Sequence, residues 1–298
     1  MQDAADGHWR ALVYAGSGTA ELYPATSVVP KGLLPVYDKP LVYYALSILM
    51  LAGIRRIALV TSPRGAIAFK RLLGGGRQFG VEIDYLIEES PGGPARSLVL
   101  ARDFIGPHNV ALILADCLLY GDGLQRVLTE ATHRAHGATA FAHPVGNPER
   151  HAIVELAGDG APQSIEVRPL AARSNLALTD MYFFDADVVD MAGRLAGTRG
   201  DALGMTDILG AYLSHGRLHV TQFGRGFAWL DTTTHAALSA AANFIETIES
   251  THGLKIGCLE EIAYRKGYVS AGQVSKSASE LNNAYGAYLR NLLAPNRH

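Results

Sequence analysis

Residues 11–19 read ALVYAGSGT. Five apolar residues running into a glycine-rich stretch describe a buried strand that opens into a tight loop, since a strand covered on both faces shows no polar alternation. Residues 110–116, VALILAD, repeat the pattern as an apolar strand that ends on a carboxylate. Between them, 41–52 predicts a helix closed by Gly53, 56–61 a strand, 66–73 a helix stopped by Gly74 to Gly76, 81–87 a strand and 95–104 a helix. Strands and helices alternating in this way predict an α/β chain with a doubly wound sheet. Ligands bind beyond the carboxyl ends of the strands in such sheets, where Gly16-Ser17-Gly18-Thr19 and Asp116 lie. The glycine-rich stretch alone is neither a complete dinucleotide fingerprint nor a P-loop.

The second half is richer in strands, expected at 139–142, 152–156, 164–167, 177–184 and 217–222. A mixed insertion covering the open end of the sheet follows. Residues 234–251 predict a long helix, and 260–266 with 277–293 a helical C-terminal appendage. The 298 residues are read as one domain. Its parts are a first half (about 9–135), a second half (about 136–233) and the helical part (about 234–298).

Composition narrows the function. The chain is 48% hydrophobic and 18% charged, enough to build a large core. A net charge of −2 without a basic block argues against duplex nucleic acid as a partner, because neutralising phosphates takes clustered Lys and Arg. Residues 1–10 are polar and acidic, with no apolar signal core. The most apolar run, 41–52, falls short of the roughly 20 residues that span a bilayer. No membrane role is expected. Two cysteines, Cys117 and Cys258, are too few for a disulfide framework, and a cytoplasmic protein is expected.

Specificity comes from the order of several segments. LYPAT (22–26) precedes PKGLLPVYDKP (30–40), MLAGIR (50–55) and SPGG (90–93). LAD (114–116) precedes Tyr120-Gly121, and GRGFAWLDT (224–232) precedes EEIAYRKGY (260–268). In this order, over about residues 9–293, the chain resembles the bacterial glucose-1-phosphate thymidylyltransferases, which are sugar-1-phosphate nucleotidylyltransferases. The resemblance implies the three-layer mixed sheet of the nucleotide-diphospho-sugar transferases, with a nucleotide-binding half, a sugar-binding half and a helical part that oligomerises. It implies a reaction in which a sugar 1-phosphate oxygen attacks the α-phosphate of dTTP, with Mg²⁺ as cofactor. It also implies a dimer-of-dimers homotetramer.

Transfer of this kind rests on positioning and on neutralising two anions that must meet. By resemblance Asp116 and Asp231 hold the metal, Lys31 faces the triphosphate and Arg168 the sugar phosphate. Without the resemblance, Asp116 reads as a strand-end residue and Asp231 as a turn residue. The resemblance assigns the nucleotide to Ala15, Gly16, Ser17, Gly18, Thr19, Gly93 and Arg96. It assigns the sugar to Ala152, Glu155, Val167, Asp180 and Tyr182. A separate regulatory nucleotide-sugar site would use Tyr120, Gly121, Glu260, Glu261, Ile262 and Arg265, with plain interface packing as the other reading.

Several of these positions depart from the family. The signature arginine is absent, and Ala20-Glu21 follows Thr19 with one residue inserted. In other phosphoryl-transfer enzymes such an arginine supplies about 10³ to 10⁵ in rate. A like charge about 4 Å from a phosphate in a partly screened site costs about 4 kcal/mol; Glu21 has two directions open to it, the cleft or solvent. Gly32 stands where glutamine is usual, Cys117 for Asn, Arg168 for Lys, Val167 for Glu, and Ala152 and Asp180 for glycines. Arg96 replaces the glutamine that reads thymine, and lies either at the base or on a helix surface. Gly204 falls in a stretch where an acidic pair is lost. The expectation is a retained fold with silent or severely impaired chemistry. The alternatives are an active divergent nucleotidylyltransferase and a regulatory nucleotide-sugar-binding subunit, including a hetero-oligomer with an active homologue.

Overall fold

The computed structural model describes residues 8–16 and 20–294. The first half runs through β1 (Trp9–Tyr14), β2 (Pro35–Val36), β3 (Lys39–Pro40), α1 (Leu41–Leu51), β4 (Arg56–Thr61), α2 (Pro63–Leu73) and β5 (Glu82–Ile87). It continues through α3 (Gly93–Leu100), α4 (Arg102–Ile105), β6 (Asn109–Leu114), β7 (Leu118–Gly121) and α5 (Leu124–Thr132). The second half holds β8 (Ala138–Pro144), β9 (Ala152–Leu156), β10 (Pro162–Val167), β11 (Leu176–Phe184), α6 (Val188–Arg199), α7 (Met205–Ser214), β12 (Leu218–Gln222) and β13 (Phe227–Leu230). Helices α8 (His235–His252), α9 (Leu259–Arg265), α10 (Ala271–Ser279) and α11 (Ala284–Leu292) close the chain.

The central sheet is mixed, as expected. Strands β5, β4, β1 and β6 lie side by side in parallel, and β11 continues the sheet antiparallel to β6. Alternate residues of one strand enter different cores. Ala11 and Val13 of β1 face the layer of α1, α2, α5 and α9, whereas Leu12 faces α3, α6 and α7. The same split occurs at Ile113 and Leu112 of β6 and at Phe183 and Tyr182 of β11. This is the period-two geometry of a strand buried on both faces. Each large apolar side chain so buried contributes about 1.5–3 kcal/mol.

The structure departs from the sequence expectations at several points, and it adds β7, α5 and β13, for which no element was expected. The helix expected over 95–104 breaks into α3 and α4 at Ala101, whose ψ of 11° leaves the helical range. The helix expected over 277–293 is two helices, separated where Asn283 caps α11 by accepting the Gly286 amide at 2.9 Å. The second half also contains α6 and α7, which pack on the sheet. Gly193 and Gly197 blur the apolar stripe of α6 in the sequence. Among the described residues, no helix is long and apolar enough to cross a membrane.

Candidate active site

The chain leaves β1 and β6 side by side. Tyr14 is in register with Leu114, and the Ala115 amide donates to the Tyr14 carbonyl at 2.9 Å. β1 sends its connection toward β4 on one side while β6 lies on the other, so Gly16 and Asp116 emerge at the switch point where a crevice forms. The small ladder of β7 with β13 then sets Leu118 opposite Leu230. That register brings the residues just outside the ladder, Asp116 and Asp231, to the same end. Thr232 Oγ1 locks them by donating to the Asp116 carbonyl at 3.2 Å.

Lys31 reaches this point from a short 3-10 turn, Lys31–Leu33. Gly32 lets the turn come close, because a Cβ there would stand 3.0 Å from the Ala115 Cβ and 3.3 Å from the Phe69 ring. The Lys31 ammonium pairs directly with Asp116 Oδ2, and both groups are largely buried. Asp231 Oδ1 accepts the Thr233 amide at 2.8 Å and the Thr233 hydroxyl at 2.7 Å, and Arg150 lies 3.9 Å from its other oxygen. Burial works to raise the Asp231 pKa, but these bonds outweigh it and leave it below the ordinary value. Two carboxylates at one place suit Mg²⁺, which takes its remaining oxygens from water and phosphate. The described residues contain no cluster of three or more acidic, His or Cys side chains that would cage a metal without substrate.

Asp180 enters the same cleft from a bulge. Leu178 of β11 pairs with Ala142 and Tyr182 with Ala140, so four steps on one strand oppose two on the other. A bulge re-aims a side chain in this way. Thr179 turns inward to donate to the Phe141 carbonyl at 3.1 Å, and Asp180 faces the cleft. Asp180 has no hydrogen-bond or ion-pair partner among the described residues. Burial first, and then the charge of Asp116, push its pKa up to about 7, with Lys31 opposing. Burial likewise pushes the Cys117 thiol well above its usual range, with Asp180 and Asp116 adding to it, so Cys117 is an inert packing residue.

Asp116, Asp180 and Asp231 line a cavity of about 860 Å³ that Lys31 and Cys117 do not border. Ala152, Val167, Arg168, Asp180, Tyr182 and Asp231 all border it, as does Glu21, which therefore faces the cleft. Arg168 sits at a φ of 48°, unusual for a side-chain-bearing residue, with its amide held by the His151 carbonyl at 2.8 Å. Glu155 is not part of the lining; it accepts from Ser164 Oγ at 3.0 Å. Trp229 and His151, with ring centroids 5.4 Å apart, form an aromatic wall.

The positions that the resemblance assigns to the nucleotide lie elsewhere. Ser17, Gly18 and Thr19 lie outside the described residues. Ala15, Gly16, Gly93 and Arg96 do not border the cavity. Instead the Tyr14 hydroxyl donates to Glu88 Oε2 at 3.0 Å and accepts the Gly93 amide at 3.1 Å, while Glu88 Oε1 accepts the Gly92 amide at 3.0 Å. Burial and Glu88 push the Tyr14 hydroxyl up to about 12, so it stays protonated. Any Cβ on Gly16 would stand 2.6 Å from this hydroxyl and from Glu88. Arg96 pairs with Asp201 at the protein surface. Sequence reasoning missed Tyr14 and Glu88. Their only signal was a tyrosine in an otherwise aliphatic run and an acidic residue ahead of SPGG.

A family model described as nucleotidyl transferase matches residues 11–248. The glucose-1-phosphate thymidylyltransferase of Neisseria meningitidis serogroup A / serotype 4A is 44% identical over 285 residues, 95% of this chain and 99% of that one. The chain belongs to this family. A glucose-1-phosphate thymidylyltransferase of Mycobacterium tuberculosis is 41% identical over 96% of this chain and all of its own length. A solved structure from Bacillus anthracis, named for the same enzyme and in complex with a sucrose, superposes with a TM-score of 0.74 at 30% identity. It covers 79% of this chain and 94% of that one.

The remaining thymidylyltransferase-like positions are engaged inside the fold. The Tyr120 ring meets Phe244 of α8 edge-on at 6.0 Å, and Gly121 lies so close under the Phe227 ring that no side chain would fit. Glu260 accepts from the Tyr285 hydroxyl at 2.6 Å; Glu261 accepts from Tyr288 and from Arg265 Nε at 2.8 Å. Ile262 packs against the core beneath α9. Gly204 opens α7, donating its amide to Asp207 at 2.9 Å, and Ala20 with Glu21 begins a 3-10 turn.

Proposed function

We propose that this chain is a glucose-1-phosphate thymidylyltransferase homologue whose catalysis is silent or severely impaired, and whose sugar-side cleft remains a ligand site. The family reaction joins dTTP and glucose 1-phosphate into dTDP-glucose and pyrophosphate. The observation that carries the reading is the closed set of Tyr14, Glu88 and Gly93. It spends a backbone amide assigned by resemblance to the nucleotide on an internal hydroxyl. A base entering there would break two hydrogen bonds, and each buried partner left unmade costs about 1–3 kcal/mol.

The cleft itself adds to this. Lys31, the surviving cation meant for the triphosphate, is neutralised by Asp116. Glu21 brings a negative charge to the same lining. Were Mg²⁺ bound, Asp116 and Asp231 would hold it, and it would neutralise charge on the triphosphate. Lys31 would have to yield Asp116 Oδ2 or share that carboxylate with the ion. Arg168, unpaired among the described residues, would orient the sugar phosphate, and Asp180 fills space that a glycine leaves to the sugar.

The regulatory nucleotide-sugar reading has less support, because Glu260, Glu261 and Arg265 are engaged within α9 and with α11. A homotetramer, or a hetero-oligomer with an active homologue, in the cytoplasm is the setting we propose by family likeness. Calorimetric titration of dTTP with Mg²⁺ tests the function. No binding below millimolar is expected; micromolar binding would favour an active, divergent nucleotidylyltransferase.

A further inference from the structure

Four charged residues that border the cavity, Glu21, Glu149, Arg168 and Asp180, form no ion pair among the described residues, and of these Asp180 alone is sheltered from solvent. Arg168 forms no ion pair among the described residues, and it borders the cavity. Asp180 has no partner either among the described residues, although it is half-buried and feels the charges of Asp116 and Asp231, with Lys31 opposing. The nearest cation, Lys31, is already committed to Asp116, and Arg150 leans toward Asp231 and Thr233. A sheltered carboxylate without a counter-charge is costly, and when ionised it can only accept hydrogen bonds. Sugar hydroxyls would give it hydrogen bonds but leave its charge uncompensated. An ammonium group supplies both.

The rest of the lining suits a sugar ring. Trp229 and Tyr182 offer aromatic surface, while Leu178, Ala152 and Val167 are apolar. About 860 Å³ lies within the range of small-molecule sites. We infer that the cleft selects a zwitterionic sugar phosphate, with the phosphate on Arg168 and an ammonium substituent of the ring on Asp180. Asp180 is thereby the specificity-determining residue. This rests on the sugar half of the cleft being a surviving ligand site.

The probes are glucose 1-phosphate, its analogues carrying one amine at C2, C3, C4 or C6, and the N-acetylated form of each. Binding is followed by calorimetry without nucleotide. At least one amine should bind about tenfold tighter than glucose 1-phosphate. Acetylation should abolish the gain on the unaltered protein, and Asp180→Asn should bring amine and hydroxyl forms together. Equal binding of glucose 1-phosphate and every amine overturns the ammonium preference while leaving the cleft as a ligand site. A preference that survives Asp180→Asn overturns the role of Asp180. No binding of any sugar phosphate overturns the inference and the ligand-site reading together.

Discussion

Tyr14 and Glu88 meet across the mouth of β1, the hydroxyl donating to the carboxylate at 3.0 Å while the Gly93 amide donates back to it at 3.1 Å. The parallel strands of the central sheet position this contact. β1 and β5 belong to one parallel set, and Glu88 directly follows β5, its amide bonded to the Thr61 carbonyl at 2.9 Å.

Removing the ring opens the site. Tyr14→Ala should increase the affinity for dTTP with Mg²⁺ at least about tenfold, while lowering stability by about 3 kcal/mol through loss of a buried aromatic. Titration calorimetry and urea unfolding read the two effects separately. Unchanged nucleotide affinity in a folded variant would show that Tyr14 does not close the pocket.

Asp180 makes stability depend on pH. Its folded pKa of about 7 lies above the ordinary carboxylate value, so its protonated form favours the fold. That contribution is complete below about pH 4 and is lost as pH rises through about 7. Asp180→Asn should therefore stabilise the protein at pH 8 by about 2 kcal/mol and have little effect at pH 4. Denaturant unfolding with EDTA present measures it, and a larger gain at pH 4 would contradict the assignment.

Gly121 is a packing requirement under the Phe227 ring. Gly121→Ala should destabilise by about 1–3 kcal/mol, visible in urea unfolding. A neutral result would mean that the β7–β13 ladder tolerates spreading.

Glu249 of α8 joins Lys39 of β3 to Lys255 ahead of α9. It is buried and accepts from Lys39 and Lys255 at 2.9 Å each. Lys255 also stands over the rings of Tyr37, Tyr285 and Tyr288. Glu249→Ala leaves two buried ammonium groups with Asp38 alone, and should cost about 3–5 kcal/mol. A loss under about 1 kcal/mol by urea unfolding would show the network to be screened.

Much of this was legible in the sequence. The apolar runs of β1, β4 and β6 announce themselves because strands buried on both faces cannot carry polar residues. Asp116 was visible as the strand-end carboxylate, and its meeting with Asp231 came only through likeness to a family. The β7–β13 register that unites them pairs segments more than a hundred residues apart, which no local pattern encodes. The turn of Asp180 into the cleft depends on a bulge whose extra residues match no periodicity. Tyr14 was hidden for another reason. In an apolar strand a tyrosine reads as core, and only the geometry reveals that its hydroxyl takes the Gly93 amide.

The most direct test of the central claim is pyrophosphate release by the full chain with dTTP, glucose 1-phosphate and Mg²⁺ at high protein concentration. The account predicts no release above the protein-free rate. Steady release in proportion to protein, abolished by Asp116→Asn, would contradict it.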